Sequence, residues 1–188
     1  MNSNYSIGKK DISKEAYMIT AHINVHIREL QEKDLGKLAQ FFRSSYGRTF
    51  ADDLNDQIQG KTSFFVAWLE DNPIGHMVIY WAGARDPDFA TVYPNHPEVI
   101  RGRVLEAYRS MGVGGQLAQA CFREAKARGF SFVSLAINHN NPRSLALFLR
   151  LGCIKTEFDN SVERYQKQLD TGETIWVEEA GVWLIKEL

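Results

Sequence analysis

Residues Arg109 to Gly115 read Arg-Ser-Met-Gly-Val-Gly-Gly and run straight into a helix-like repeat. Glycines between a strand and a helix start let the backbone come close to a ligand, with unpaired N–H groups and the positive end of the helix dipole aimed at it. Such a turn selects an anion, most naturally a phosphate. A tight turn without a ligand would also use Gly112, Gly114 and Gly115. Two common phosphate loops do not fit. No Gly-Lys-Ser or Gly-Lys-Thr follows, and a GxGxxG run from Gly112 would need glycine where Leu117 stands.

The form [RQ]xxGxG does fit, with a strand ending in Val-Leu-Glu-Ala-Tyr just before it. Here the sequence resembles the GNAT superfamily of acetyl-CoA-dependent N-acetyltransferases, in which this loop wraps the pyrophosphate of coenzyme A. The resemblance implies that Arg109, Ser110 and the backbone N–H groups of Met111, Gly112, Val113, Gly114 and Gly115 hold the pyrophosphate. It also implies that the N–H groups of Val104 and Leu105 face the pantetheine arm and the thioester carbonyl. A second family signature falls at the right distance in Asn141 to Cys153, where Asn141, Ser144 and Gly152 match. By the same resemblance Asn138, Arg143 and Phe148 join the coenzyme site. The likeness covers about residues 23 to 188 and implies a mixed α/β fold, a central twisted sheet flanked by helices.

Acetyl transfer to an amine needs a base for the ammonium, donors for the oxyanion, and help for the departing thiolate. Glu98, at the start of the strand that reaches the coenzyme, is the expected base, with His96 and Glu106 as weaker alternatives. The Val104 N–H is the expected oxyanion donor. The family's usual acid is a tyrosine in the second motif, but Phe148 stands there and a phenyl ring has no proton to give. Tyr80, Tyr93, Tyr108 and Ser144 are the candidates to replace it. For the acceptor, Asp52, Asp53, Asp56, Asp86, Asp88, Glu98, Glu178 and Glu179 mix with Trp81, Tyr93, Trp176 and Trp183. Asp53, Trp81, Asp86, Tyr93 and Glu98 are the expected contacts. Acidic and aromatic lining suits a small cationic, multiply aminated acceptor, with an aminoglycoside antibiotic as the most specific candidate. A protein or peptide amine is an alternative acceptor, and a non-catalytic acyl-CoA-binding module is the rival from another class.

Periodicity supplies the elements that must position these residues. A strand is expected from Ile23 to Arg28, a helix along Leu35, Leu38, Ala39, Phe42 and Tyr46, and a short helix along Phe50, Leu54 and Ile58. Two apolar strands flank Asp71-Asn72-Pro73, and a loop from Ala84 to Pro97 leads to the strand beginning at Glu98. Then come a helix from Gly115 to Arg128, a strand ending at Asn138, a helix from Pro142 to Leu151, and strands over 153–158 and 181–188. The 188 residues, 44% hydrophobic and 24% charged, fit one domain over 22–188, with residues 1–21 as a polar extension. A formal net charge of −1 offers no footprint for nucleic acid. No stretch has the length of a membrane span or a secretory signal, so a cytoplasmic protein is expected. Cys121 and Cys153 read as small core residues, and no histidine spacing calls for a metal. The aromatic C-terminal hairpin fits a homodimer.

Overall fold

The computed structural model describes residues 23–43, 47–159, 161–168 and 173–188. The expected extension over 1–21 and the helical position of Tyr46 lie outside them. Strand β1 is His26–Glu29, followed by a short 3-10 turn and helix α1, Leu35–Phe41. Phe42 then turns to extended backbone, so the first helix ends earlier than its periodicity implies. Helix α2, Phe50–Ile58, starts with a reciprocal cap, in which Thr49 accepts the Asp52 N–H and the Asp52 carboxylate accepts the Thr49 N–H.

Strands β2, Thr62–Leu69, and β3, Asn72–Tyr80, form the expected hairpin. Helices cover both of its faces, which is why it reads as a continuous apolar run instead of an alternation. Helix α3 is Pro87–Val92, β4 is Glu98–Val104, α4 is Val113–Ala127 and β5 is Phe132–Asn138. Helix α5, Pro142–Arg150, is followed by β6, Ile154–Lys155, β7, Ser161–Gln168, and β8, Thr174–Glu187.

The sheet runs β1-β2-β3-β4-β5-β8-β6, with β7 pairing β8. Among the described residues only the β4–β5 pair is parallel. One core packs α4 against Phe65, Met77, Ile79, Val99 and Leu135. The other packs Leu38 of α1 and Phe50 of α2 against Phe64, Val66, Trp68 and Val78. Cys121 and Cys153 are both buried in the first core, where burial raises both thiols, Cys153 to about 11. Among the described residues no helix is long and apolar enough to cross a membrane.

Two elements depart from the sequence reading. Residues expected as loop form α3, because Asp86 caps the N–H groups of Asp88 and Phe89 and Pro87 supplies a first helical residue with a preset φ. The final strand begins at Thr174 rather than Gly181, since its outer half pairs with β7 over Ser161–Gln168. Residues 174–180 of that half are exposed or half-buried, so no apolar run announces it.

Candidate active site

Strand β4 has different relations with its two neighbours. On the β5 side the only pairing is Glu98 with Ser134, reinforced by the Ser134 N–H donating to Pro97 C=O at 3.0 Å. A side-chain contact ties the same point, His96 Nε2 lying 2.8 Å from Ser134 Oγ. Beyond it the strands part, and a cleft of about 1280 Å³ opens between them.

On the β3 side a bulge interrupts the ladder. Val78 faces Ile100 and His76 faces Arg103, which leaves Arg101 and Gly102 opposite Met77 alone. Arg101 takes a left-handed φ of 50°, a conformation that costs a non-glycine residue about 1–2 kcal/mol. A Cβ at Gly102 would lie 2.8 Å from Met77 Cε, so a side chain there would displace the end of Met77. The Arg101 guanidinium is anchored by Asp53 at 2.8 Å and lies over the Phe64 ring. After the bulge the Leu105 N–H donates to Ile74 C=O at 2.9 Å. Alternation along a strand therefore turns the Val104 N–H and C=O the other way, towards the gap, where Arg109 Nε donates to the C=O. The expectation that the Leu105 N–H also faces the gap is corrected by its bond to β3, and Leu105 packs instead in the second core.

The glycine turn sits at the floor of the cleft. Gly112 has a left-handed φ of 81° and starts α4, whose first N–H groups, from Val113 to Gly115, precede any intrahelical partner. A Cβ at Gly114 would come 3.2 Å from Leu147 Cδ2 of α5, a tight approach that Leu147 would have to yield to. Arg143 donates to Ser110 Oγ, bracing the turn against α5, and Asn141 caps α5 by accepting the Ser144 N–H at 3.1 Å. Val104, Arg109, Ser110, Gly112, Val113, Gly114, Gly115, Asn138, Asn141, Arg143, Ser144 and Phe148 all line the cleft. Met111 does not line it, and its C=O accepts the Ile23 N–H.

Glu98 lines the cleft at its apex, 2% exposed, with its Oε2 accepting the Arg85 N–H and Nε at 3.3 and 3.4 Å. His96 is buried behind it against Phe132, where burial holds the ring below its ordinary pKa, and Glu106 is exposed on the turn after β4. Of the candidate acids, Tyr108 and Ser144 line the cleft, whereas Tyr80 and Tyr93 do not.

The expected acceptor contacts other than Glu98 lie outside the cleft lining, each engaged elsewhere. Asp53 is held by Arg101 and Arg48, and Asp86 caps α3. Trp81 stacks on Phe130 under Arg128, and Tyr93 donates to Glu157 and stacks on Phe89. Asp52 and Asp56 are likewise consumed, by Thr49 and by Arg48 and Lys61. The charged lining consists of Arg85, Arg101, Arg103, Arg109, Arg143 and Arg150 against Glu98 and Glu179, so the cleft is cationic, the opposite of the acidic lining read from sequence. Sequence reasoning missed the arginines of β4 because alternation along a strand gives no hint of which side chains a bulge turns into a gap.

The family model for the acetyltransferase (GNAT) family matches residues 26–153. No curated protein matches the sequence. Among solved structures, a ribosomal-protein-alanine N-acetyltransferase from Brucella melitensis superposes with a TM-score of 0.63 at 19% identity, covering 87% of this chain and 99% of that one. An acetyltransferase of Bacillus subtilis in complex with CoA gives 0.57 at 19% identity, covering 88% and 99%. A GNAT-family acetyltransferase of Streptococcus pneumoniae gives 0.60 at 16% identity, covering 88% and 100%. At these identities the likeness is one of fold.

Proposed function

This chain belongs to the GNAT acetyltransferase family, and from that premise we propose that it moves an acetyl group from acetyl-CoA to a primary amine. The observation that carries the reading is the parting of β4 and β5 beyond Glu98 and Ser134, with a glycine turn and a helix N-terminus at the floor of the gap. The residues fit coenzyme A. The N–H groups of Val113, Gly114 and Gly115 at the positive end of α4 suit a pyrophosphate, and a Cβ at Gly114 would press on Leu147 of the cleft lining. Arg109 and Arg143 add charge there, with Ser110, Asn138, Asn141 and Ser144 as polar neighbours. Bound acetyl-CoA supplies the activated acetyl thioester.

The Val104 N–H, turned into the gap by the bulge, is the donor for charge developing on the acyl oxygen, since it gives up no ladder bond to serve there. Glu98 sits where a base is wanted, its carboxylate accepting from the Arg85 N–H and Nε. It holds the apex of the cleft, six residues along β4 from Val104. Phe148 packs at the cleft wall and in the core without a proton to give, so Tyr108 and Ser144 are the hydroxyls at hand for the thiolate. A thiolate leaves readily enough for the reaction to proceed without a dedicated acid.

Phe148 also favours a second reading, a coenzyme-binding module without turnover. Incubation with acetyl-CoA and a panel of aminoglycosides, polyamines, simple amines and peptides, followed by mass spectrometry of the amines, separates the two. A product heavier by one acetyl group supports the transferase and names its acceptor. Tight coenzyme A binding with no acetylated product from any amine supports the module.

A further inference from the structure

Two carboxylates line the cleft, and they stand in opposite circumstances. Glu98 is buried and held by Arg85. Glu179, on β8, is half-buried, and among the described residues it makes no hydrogen bond or ion pair.

Strand pairing fixes the height of Glu179. Asn138, four residues past Ser134 on β5, pairs with Gly181 of β8, and Glu179 lies two residues further out, past the His139 N–H bond to Ala180 C=O. Measured from the Glu98–Ser134 contact, that is about the height Val104 reaches on β4, across the gap. A carboxylate with no partner among the described residues thus lies level with the N–H group that faces the gap. A half-buried carboxylate with no cation beside it among the described residues can take one that arrives with a ligand.

We propose that Glu179 binds the ammonium of the acceptor, and that the acceptor is an amine carrying a single positive charge. This rests on the amine-acetylating function above and names its acceptor contact. The second half follows from the rest of the wall. Arg101 and Arg103 lie on β4 just before Val104, so further ammonium groups of a polyamine or aminoglycoside would meet guanidinium groups. Asp53, which a polycation would need, is already held by Arg101 and Arg48.

The test is calorimetric titration of glycinamide, n-butylamine, spermidine and kanamycin into the full chain saturated with coenzyme A, which needs no turnover. Wild type is expected to bind the two single amines more tightly than spermidine or kanamycin. Glu179→Gln should weaken the single amines by about tenfold, as loss of a charge-assisted hydrogen bond implies. Glu179→Asp should restore part of that, with coenzyme A affinity equal in all three proteins. Equal amine affinity in wild type and Glu179→Gln overturns the proposal, as does tightest binding of spermidine or kanamycin, or no amine binding at all. A protein that binds amines through Glu179 yet acetylates none defeats the transferase reading alone. One that acetylates amines equally well with Glu179→Gln defeats this inference alone.

Discussion

Against β3, strand β4 pairs from Glu98 to Val104 with one bulge, while against β5 it pairs at Glu98 alone. The closed side buries its residues between two cores and carries stability. The open side leaves a backbone N–H, a glycine turn and a cationic wall facing one gap. Both sides use the same strand, and the bulge at Arg101 and Gly102 decides which peptide group belongs to which. The proposed site lies where the ladder is withheld, and the closed ladder holds the strand in place beside it.

The sharpest way to break this comparison is to substitute proline on each side of it. Val104→Pro removes an N–H that faces the gap and should lower kcat by about 10²–10³, the usual cost of losing an oxyanion donor, with coenzyme A affinity retained. Leu105→Pro removes the bond to Ile74 C=O and should instead lower the urea midpoint. Calorimetry and urea titration of the pair check this, and similar effects of the two variants would erase the distinction between the sides. Next in size, Gly114→Val should weaken coenzyme A about tenfold to hundredfold by overfilling the cradle against Leu147, read by calorimetry.

The closed side has its own signature in pH. His76 sits among Phe42, Phe50 and Phe64, and burial first, then the charges of Arg101 and Arg103, pushes its pKa down to about 3. Between about pH 3 and 6.5 the unfolded chain binds a proton that the folded chain refuses. Stability is therefore complete above 6.5 and falls as pH drops, by about 1.4 kcal/mol per unit. His96, also lowered by burial, adds to the same trend. Urea midpoints at pH 7 and pH 5 should differ in wild type and draw closer in His76→Gln. Smallest of all, Asn141→Ala removes the α5 cap and should cost about 1 kcal/mol, measurable by urea titration.

Much of the open side was legible in sequence, because it depends on local signals. The glycine turn, the strand before it and the Asn141 cap are each written in adjacent residues. The acceptor wall was not, because it depends on what charged side chains meet in space. Asp53 and Asp86 look like a binding surface in sequence, yet one is consumed by Arg101 and Arg48 and the other by a helix start. Helix α3 could have been read from Asp86 followed by Pro87. The outer half of β8 was not read, since its alternation is only between exposed and half-buried residues and has no apolar run.

The most direct test of the central claim is thiol release from acetyl-CoA by the wild-type chain, with and without added primary amine. Release that depends on the amine and matches the amount of N-acetylated product is the expected result. No release while coenzyme A binds, or release at the same rate without any amine, would contradict it.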